Sequence, residues 1–413
     1  MYTFTSRILW MIFLSAFLLF ADEWKNGTFI NEPRAGASAL TWSGKIYLFG
    51  GKSINNSVLN TVEVYDPASN SWTSNIVAPF RNARYNASAV VWDNKFYLIG
   101  GRDIDDVFRS VEVYDPVQNT WQEAHELRTE REGHTSVVFN NRIYTIGGQK
   151  SNFDLVEEIE WYDSQEQKWE KAAFDIYYPR SALFSAVYNE QFYMFGGYYY
   201  GLSATACKAY FDGDIYDWEI TTSLAEPRAY GATAVIDSLI YIIGGETATG
   251  KTNLVEIYNV NTGKISRGED MNMSHSGMAS AVLNNKIFSI GGYESTGNYP
   301  INHVHILETN VTALEDPSIL PTEMLLAKTY PNPFNGQVRI EVDLPMTGNV
   351  IVEVLSSTGQ KIRQILSSTL SAGKNTLQWD AKDSYGNTVV SGIYFVRISY
   401  QNHNRILKLL HVK

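Results

Sequence analysis

Five arginines and a histidine recur at one place in the chain. Arg34, Arg84, Arg131, Arg180, Arg228 and His275 each stand sixteen residues before a pair of glycines. A guanidinium carries its N–H donors in a planar fork and grips carboxylates bidentately. Brought together by repeat symmetry, these groups would hold an acidic sugar or a carboxylate-bearing chain. A second series competes for them. Glu63, Glu112, Glu160 and Glu256 each lie two residues before a tyrosine, and internal Arg–Glu pairing would commit four guanidiniums to the scaffold. In the fourth unit Lys208 stands two residues before Tyr210 instead, so Arg180 is expected to be the ring member left for a ligand. Tyr177, Tyr178, Tyr198, Tyr199 and Tyr200 fall in the adjoining loops, offering flat amphipathic contact. Arg84, Lys208 and His275 complete the expected ligand-binding set.

Other chemistry is weaker. Three of the seven histidines, His275, His303 and His305, fall in the sixth unit, where imidazoles could take copper or zinc if they converge. Asp103, Asp105 and Asp106 could meet calcium but lack the spacing of an EF-hand loop. No Ser–His–Asp set with an elbow motif and no phosphate loop is present, and no cofactor, metal or catalytic residue is assigned. Cys207 is the single cysteine, which removes intramolecular disulfides and cysteine-rich metal sites.

The elements that must position these residues are strands. Double glycines end at Gly51, Gly101, Gly148, Gly197, Gly245 and Gly292, each after an apolar run such as Ile46-Tyr47-Leu48-Phe49. A period of 47 to 50 residues is the mark of a solenoid or propeller. Each unit reads as four strands. One ends at a short turn (Ser43-Gly44), the next returns into the glycines, a third ends in tyrosine, and a turn such as Asp66-Pro67-Ala68-Ser69-Asn70 leads to a strand headed by tryptophan. With that strand order, the turns entering the first strand and the loops after the double glycine share one face. The sixth unit lacks its fourth strand. Trp24 precedes Arg34 by ten residues, as Trp121 precedes Arg131 and Trp218 precedes Arg228, so residues 23–30 are expected to supply the missing outer strand.

These features resemble the kelch-repeat family, whose signature is the double glycine, the Tyr-Asp-Pro turn and the spaced tryptophan. The resemblance implies an all-β, six-bladed kelch β-propeller over residues 22–312. Departures lie in unit four, where Phe211-Asp212-Gly213-Asp214 replaces the turn, and in units five and six, which lack the tryptophan. The family implies a protein- or glycan-binding role. It also includes a sialic-acid mutarotase, so a carbohydrate isomerase is the alternative. Copper-radical oxidases of the seven-bladed type need a Cys-linked Tyr beside two His, and Cys207 lies in unit four, away from the histidines of unit six.

Both ends of the chain read as addresses. Arg7, the apolar run Ile8 to Ala21, and then Asp22 and Glu23 have the layout of a secretory signal peptide over residues 1–21. That run is too short to span a bilayer, and no membrane span is expected in the mature chain. Residues 313–325, with Asp316-Pro317 and Leu320-Pro321, read as a linker. From Leu326 onward ten Lys and Arg face five Asp and Glu, whereas the residues before carry 23 against 39. So acidic a body argues against nucleic acid. Residues 326–413 alternate like a small immunoglobulin-like β-sandwich. Six strands are expected: Val338 to Leu344, Val350 to Leu355, Lys361 to Ile365, Lys374 to Trp379, Gly392 to Tyr400 and Ile406 to Val412. The segments Tyr330-Pro331-Asn332-Pro333-Phe334-Asn335, Trp379-Asp380, Gly386-Asn387, Ser391-Gly392-Ile393-Tyr394-Phe395 and Leu409-Leu410-His411-Val412-Lys413 resemble the type A C-terminal sorting domain of bacterial type IX secretion. That resemblance implies recognition by outer-membrane secretion machinery and a secreted or cell-surface location.

Overall fold

The computed structural model describes residues 22–309 and 326–412, apart from 140, 190, 212–214, 296, 331–333, 345–346, 357–360, 372 and 401–402. The signal-peptide reading of residues 1–21, the linker 313–325 and most of the substituted turn of unit four lie outside the described residues. Among the described residues every regular element is a strand, and no helix there is long and apolar enough to cross a membrane. The chain divides into two compact units, Met1–Asn310 and Val311–Lys413.

The first unit contains six four-stranded antiparallel sheets. Blade one runs Ser38–Trp42, Lys45–Phe49, Val62–Asp66 and Ser71–Ser74 from inside to outside, and the next four repeat this order. The innermost strands of the six blades touch in cyclic order, the last against the first. Blade six takes Ala279–Leu283, Lys286–Ile290 and Val304–Glu308 and completes itself with Glu23–Asn26, Trp24 lying opposite Leu307. This outer strand is shorter than the segment expected from sequence, although Gly27 N still donates in register to Val304 O at 2.7 Å and, one residue out of register, Ile30 N donates to Asn302 O at 3.0 Å.

Two cyclic sets of backbone hydrogen bonds stitch neighbouring blades. The amides of Gly51, Gly101, Gly148, Gly197, Gly245 and Gly292 donate to the carbonyls of Arg84, Arg131, Arg180, Arg228, His275 and Arg34, at 2.9 to 3.1 Å. The first glycine of each pair makes room for this crossing. At Gly50, with φ +59°, a Cβ would sit 2.4 Å from Arg84 O, closer than any side chain tolerates. The second set closes on itself. Gly36 donates to Gly277, Asn86 to Gly36, Gly133 to Asn86, Ala182 to Gly133, Tyr230 to Ala182 and Gly277 to Tyr230, over 2.6 to 3.0 Å. All six members have positive φ, a conformation that costs little for Gly and Asn but strains Ala182 and Tyr230. The head-to-tail ring offsets that strain by giving all six N–H groups a backbone partner.

Seams between blades are filled by the repeated aromatics. Tyr65 and Trp72, Tyr114 and Trp121, and Tyr162 and Trp169 pack at centroid distances of 5.3, 5.1 and 5.5 Å. The indole N–H of four outer-strand tryptophans then reaches across the seam. Trp72 donates to Thr28 O, Trp121 to Ala78 O, Trp169 to His125 O and Trp24 to Glu269 O, at 2.7 to 3.0 Å. A buried indole needs such a partner.

The second unit has sheets of three and four strands: Leu326–Tyr330, Val338–Leu344 and Gly373–Trp379 in one, and Lys361–Leu370, Gly348–Ser356, Gly392–Tyr400 and His403–His411 in the other. Alternating side chains of both sheets bury Val338, Ile340, Val342, Val350, Val352, Val354, Val396 and Ile398 around Trp379, the packing of an immunoglobulin-like sandwich. The six strands expected from sequence are present, and the strand Leu326–Tyr330 was not foreseen.

Candidate functional site: the loop face around the propeller axis

The structure moves the recurrent arginines off the binding face. Arg84, Arg180 and His275 are 1 %, 1 % and 0 % exposed, so none of the three can meet a ligand as the sequence suggested. The planar fork explains their place, because it bridges several carbonyl ends at once. Nη1 of Arg34, Arg84, Arg131 and Arg180 donates to the first glycine carbonyl of its own blade at 2.7 to 3.1 Å. His275 Nδ1 faces Gly291 O in the same way at 3.1 Å. The carboxylates of Glu63, Glu112 and Glu160 meet their arginines at 2.7, 2.7 and 2.6 Å, and Glu256 pairs with Arg228.

Blade four corrects a second expectation. Opposite Met194, two residues before the double glycine, stands Cys207 rather than Lys208. In blade one the equivalent Leu48 faces Glu63. The tyrosine landmark has slipped by one, because Ala209 and not Tyr210 pairs with Trp218, and the ladder shifts register on either side. A one-residue slip turns each side chain to the other face of the sheet. Lys208 therefore points away from Arg180 and pairs with Glu219 at 3.0 Å. Arg180 instead lies against the Cys207 thiol, which burial pushes up despite the guanidinium charge, and it also donates to Tyr178 O and Thr205 O.

The histidines and aspartates are equally absorbed. His275 and His305 replace the Arg–Glu pair in blade six and meet edge to face at 5.1 Å. Burial, and then the neighbouring imidazole, holds His275 down to about 4, and burial followed by His303 does the same to His305. His275 Nε2 faces Met271 Sδ. Among the described residues no His, Cys, Asp and Glu group gathers into a metal site. Asp103 Oδ1 accepts the amides of Asp105 and Asp106 at 2.9 and 2.8 Å, a local turn.

The face around the axis carries a different set of residues. The residue after each recurrent Arg or His bridges the residue after the double glycine: Ala35 with Lys52, Tyr85 with Arg102, Glu132 with Gln149, Ser181 with Tyr198, Ala229 with Glu246 and Ser276 with Tyr293. Glu132 is the hub. It accepts from Asn86 at 3.0 Å, Arg102 at 3.0 Å and Gln149 at 3.2 Å, and Ser181 donates on to Gln149. Arg102 and Lys52 both lie 5.9 Å from the Tyr85 ring centroid. Electrostatic influence also reaches across the ring. Tyr230 of blade five feels Glu132 of blade three, and Tyr293 of blade six feels Tyr85 of blade two, while burial pushes all three tyrosines up. Their hydroxyls stay protonated at neutral pH. The signal for this set was present in the sequence as the residue after each double glycine, but its types vary from blade to blade, whereas the arginines do not.

Of the remaining expected residues, Tyr198 joins the axial face. Tyr177, Tyr178, Tyr199 and Tyr200 form a contiguous ridge of rings at 4.6, 6.4 and 5.3 Å, with Tyr177 70 % and Tyr200 77 % exposed.

Six four-stranded blades stitched through double glycines, with a varied polar face about the axis, define a β-propeller of the repeat class. The chain belongs to the kelch-repeat family: residues 17–197 and 133–315 match the KLHDC2/KLHL20/DRC7 Kelch-repeats domain. Residues 328–404 match the FlgD Ig-like domain. The chain is 27% identical over 274 residues to Kelch-like protein 25 of Xenopus tropicalis, covering 64% of this chain and 38% of that protein. It is 25% identical over 284 residues to Kelch-like protein 23 of Homo sapiens, covering 67% and 41%. It thus spans about two fifths of the length of the curated relatives it matches. The solved structure of YjhT superposes with a TM-score of 0.62 at 15% identity, over 69% of this chain and 97% of that one, a likeness of fold.

Proposed function

We propose that the propeller is a binding module that docks a protein partner on the axial face. The observation that carries this reading is the Glu132 hub with its three donors, ringed by Tyr85, Tyr230, Tyr293 and Tyr198 and flanked by Lys52, Arg102 and Glu246. Ordered charges of both signs beside amphipathic rings are the chemistry of protein recognition. A second copy of the recurrent Arg–Glu scaffold would give no specificity, because it is the same in four blades. The varied residues do.

Tyr230→Asn keeps a residue that tolerates positive φ and removes the ring, and Lys52→Glu reverses a charge at the rim. With a partner captured by the full chain, each variant is expected to weaken binding about tenfold or more. Val117→Asp, on the turn face opposite and 92 % exposed, should leave it unchanged. Loss with Val117→Asp alone would move the site to the other face.

We further propose that the protein is exported and that the C-terminal sandwich is its address. Support comes from the apolar run after Arg7, from the motifs around Pro331, Trp379 and the last five residues, and from the change of charge sign at Leu326. Deleting Leu326 to Lys413 should hold a folded propeller in the periplasm of the native host. Normal arrival outside the cell would make the sandwich an accessory module.

A further inference from the structure

Blade six closes the ring, and it carries histidines where four other blades carry an arginine and a glutamate. His275 Nδ1 can only donate to Gly291 O, at 3.1 Å, which leaves Nε2 bare against Met271 Sδ at 3.2 Å. Both ring nitrogens of His305 are buried with no hydrogen-bond partner among the described residues, and so is Oγ of Ser289, directly opposite His305 on the adjoining strand. On its other side His305 lies opposite Asn26 of the closing strand. His303, 6.1 Å from His305, stacks on Phe29 at 5.1 Å. The histidines therefore line the junction at which the start of the chain completes the last blade.

Nothing charged offsets them. The charges that act on His275 are those of His305 and His303, and on His305 that of His303 alone. Charges on the surrounding elements are committed elsewhere: Glu308 to Lys25 and Lys286, Asp270 to Arg267, Arg34 to Glu63 and Arg228 to Glu256. Glu23 lies 4.0 Å from Lys25, and Glu269 is exposed. Glu294, opposite His275 in a two-residue ladder, is half-buried and is not among the groups that act on it. A proton added to either ring would be buried with no counter-charge and no oxygen to receive the new N–H, a costly arrangement.

We propose that the His275–His305 pair makes closure of the propeller pH-dependent, an acid-released clasp in blade six. Neutral imidazoles fit the junction, whereas two imidazolium rings in contact repel each other. In the folded ring burial holds both groups down to about 4, against about 6.5 in an unfolded chain. Between those values the unfolded chain binds more protons. Stability is therefore complete above about pH 6.5 and falls as the pH drops, by about tenfold in the folding constant per pH unit for each imidazole. The Arg–Glu pairs of the other blades keep both charges throughout that window, so the weakening enters at the closure.

The test is chemical denaturation of the full chain, followed through the propeller transition at about pH 7.5 and about pH 5. The folding constant of wild type is expected to fall about a hundredfold or more between them. His275→Arg combined with His305→Glu installs the pair of the four other blades and should abolish most of that fall. His305→Gln, which cannot take a proton, should remove about half of it on a logarithmic scale, and it decides the matter alone if the paired exchange does not fold. His134 of blade three, which burial holds down to about 3, is present in every variant, so its share is common to all the curves. The proposal is overturned if wild type is equally stable at both pH values. It is also overturned if a folded variant keeps the whole of the fall, which would assign the acid sensitivity to His134 or to the carboxylates.

Discussion

Arg131→Ala is expected to remove about 3–5 kcal/mol of folding stability, the range for stranding one partner of a buried ion pair. Arg131 is wholly buried. It donates to Gly147 O and Glu158 O at 3.1 Å each and meets Glu160 at 2.6 Å. Glu160 in turn accepts the amides of Arg128 and Thr129 at 2.7 and 3.0 Å. One guanidinium therefore ties the end of the second strand to the third, and its carboxylate ties the third strand to the loop entering the blade. Alanine leaves the carboxylate buried, with two amides in place of a full counter-charge. Arg180→Ala offers the contrast. Its partner is the Cys207 thiol and not a carboxylate, so truncation strands carbonyls but no buried anion, and the loss should be smaller. Chemical denaturation of both variants, followed through the propeller transition, reads the difference. Equal losses would show that lost packing, and not the stranded carboxylate, governs the cost.

The same contrast shows how far the sequence could be read. Repeat period, blade number, and the pairing of four arginines with four glutamates were legible because each is written several times in register. Position thirty-four predicts position eighty-four. Blade four is written once. Its extra residue between tyrosine and tryptophan was visible, but not which side of the ladder would absorb it, and that choice exchanges Lys208 for Cys207 beside Arg180. The slip reaches the site as well: a guanidinium without a glutamate reads as free in the sequence, although three carbonyls satisfy most of its donors.

The axial face was missed for a related reason. Glu132 meets Asn86 and Arg102 only because blade two packs beside blade three, and no local spacing records that. Positive φ at Ala182 and Tyr230 is equally silent in sequence, since neither residue type advertises it. In the sandwich, Leu326–Tyr330 is five residues with one lysine and no strict alternation, too little to separate a strand from a linker.

Removing residues 22–26 is expected to cost the propeller its single cooperative transition. Glu23–Asn26 joins the start of the unit to the sheet of its last blade, pairing along His305–Glu308 in four registered positions. Three kinds of interaction go with it. Trp24 is 3 % exposed, packs in the core shared with blade five, and donates to Glu269 O at 2.8 Å; loss of a buried tryptophan alone costs about 3–5 kcal/mol. Asn272 loses its bond to Trp24 O. The backbone groups of Val304–Glu308 that faced the missing strand become an open edge, prone to pair with another chain. A ring differs from an open stack here, because each blade is held on both sides only while the circle is closed. Weakening one junction should therefore lower the stability of all six blades together, not fray the sixth alone. The truncated chain should melt well below the full-length protein and self-associate in a concentration-dependent way, and Trp24→Ala should fall between them without an open edge. An unchanged thermal midpoint in the truncation would mean that contacts among the innermost strands suffice to close the ring, and that the outer strand of blade six is dispensable.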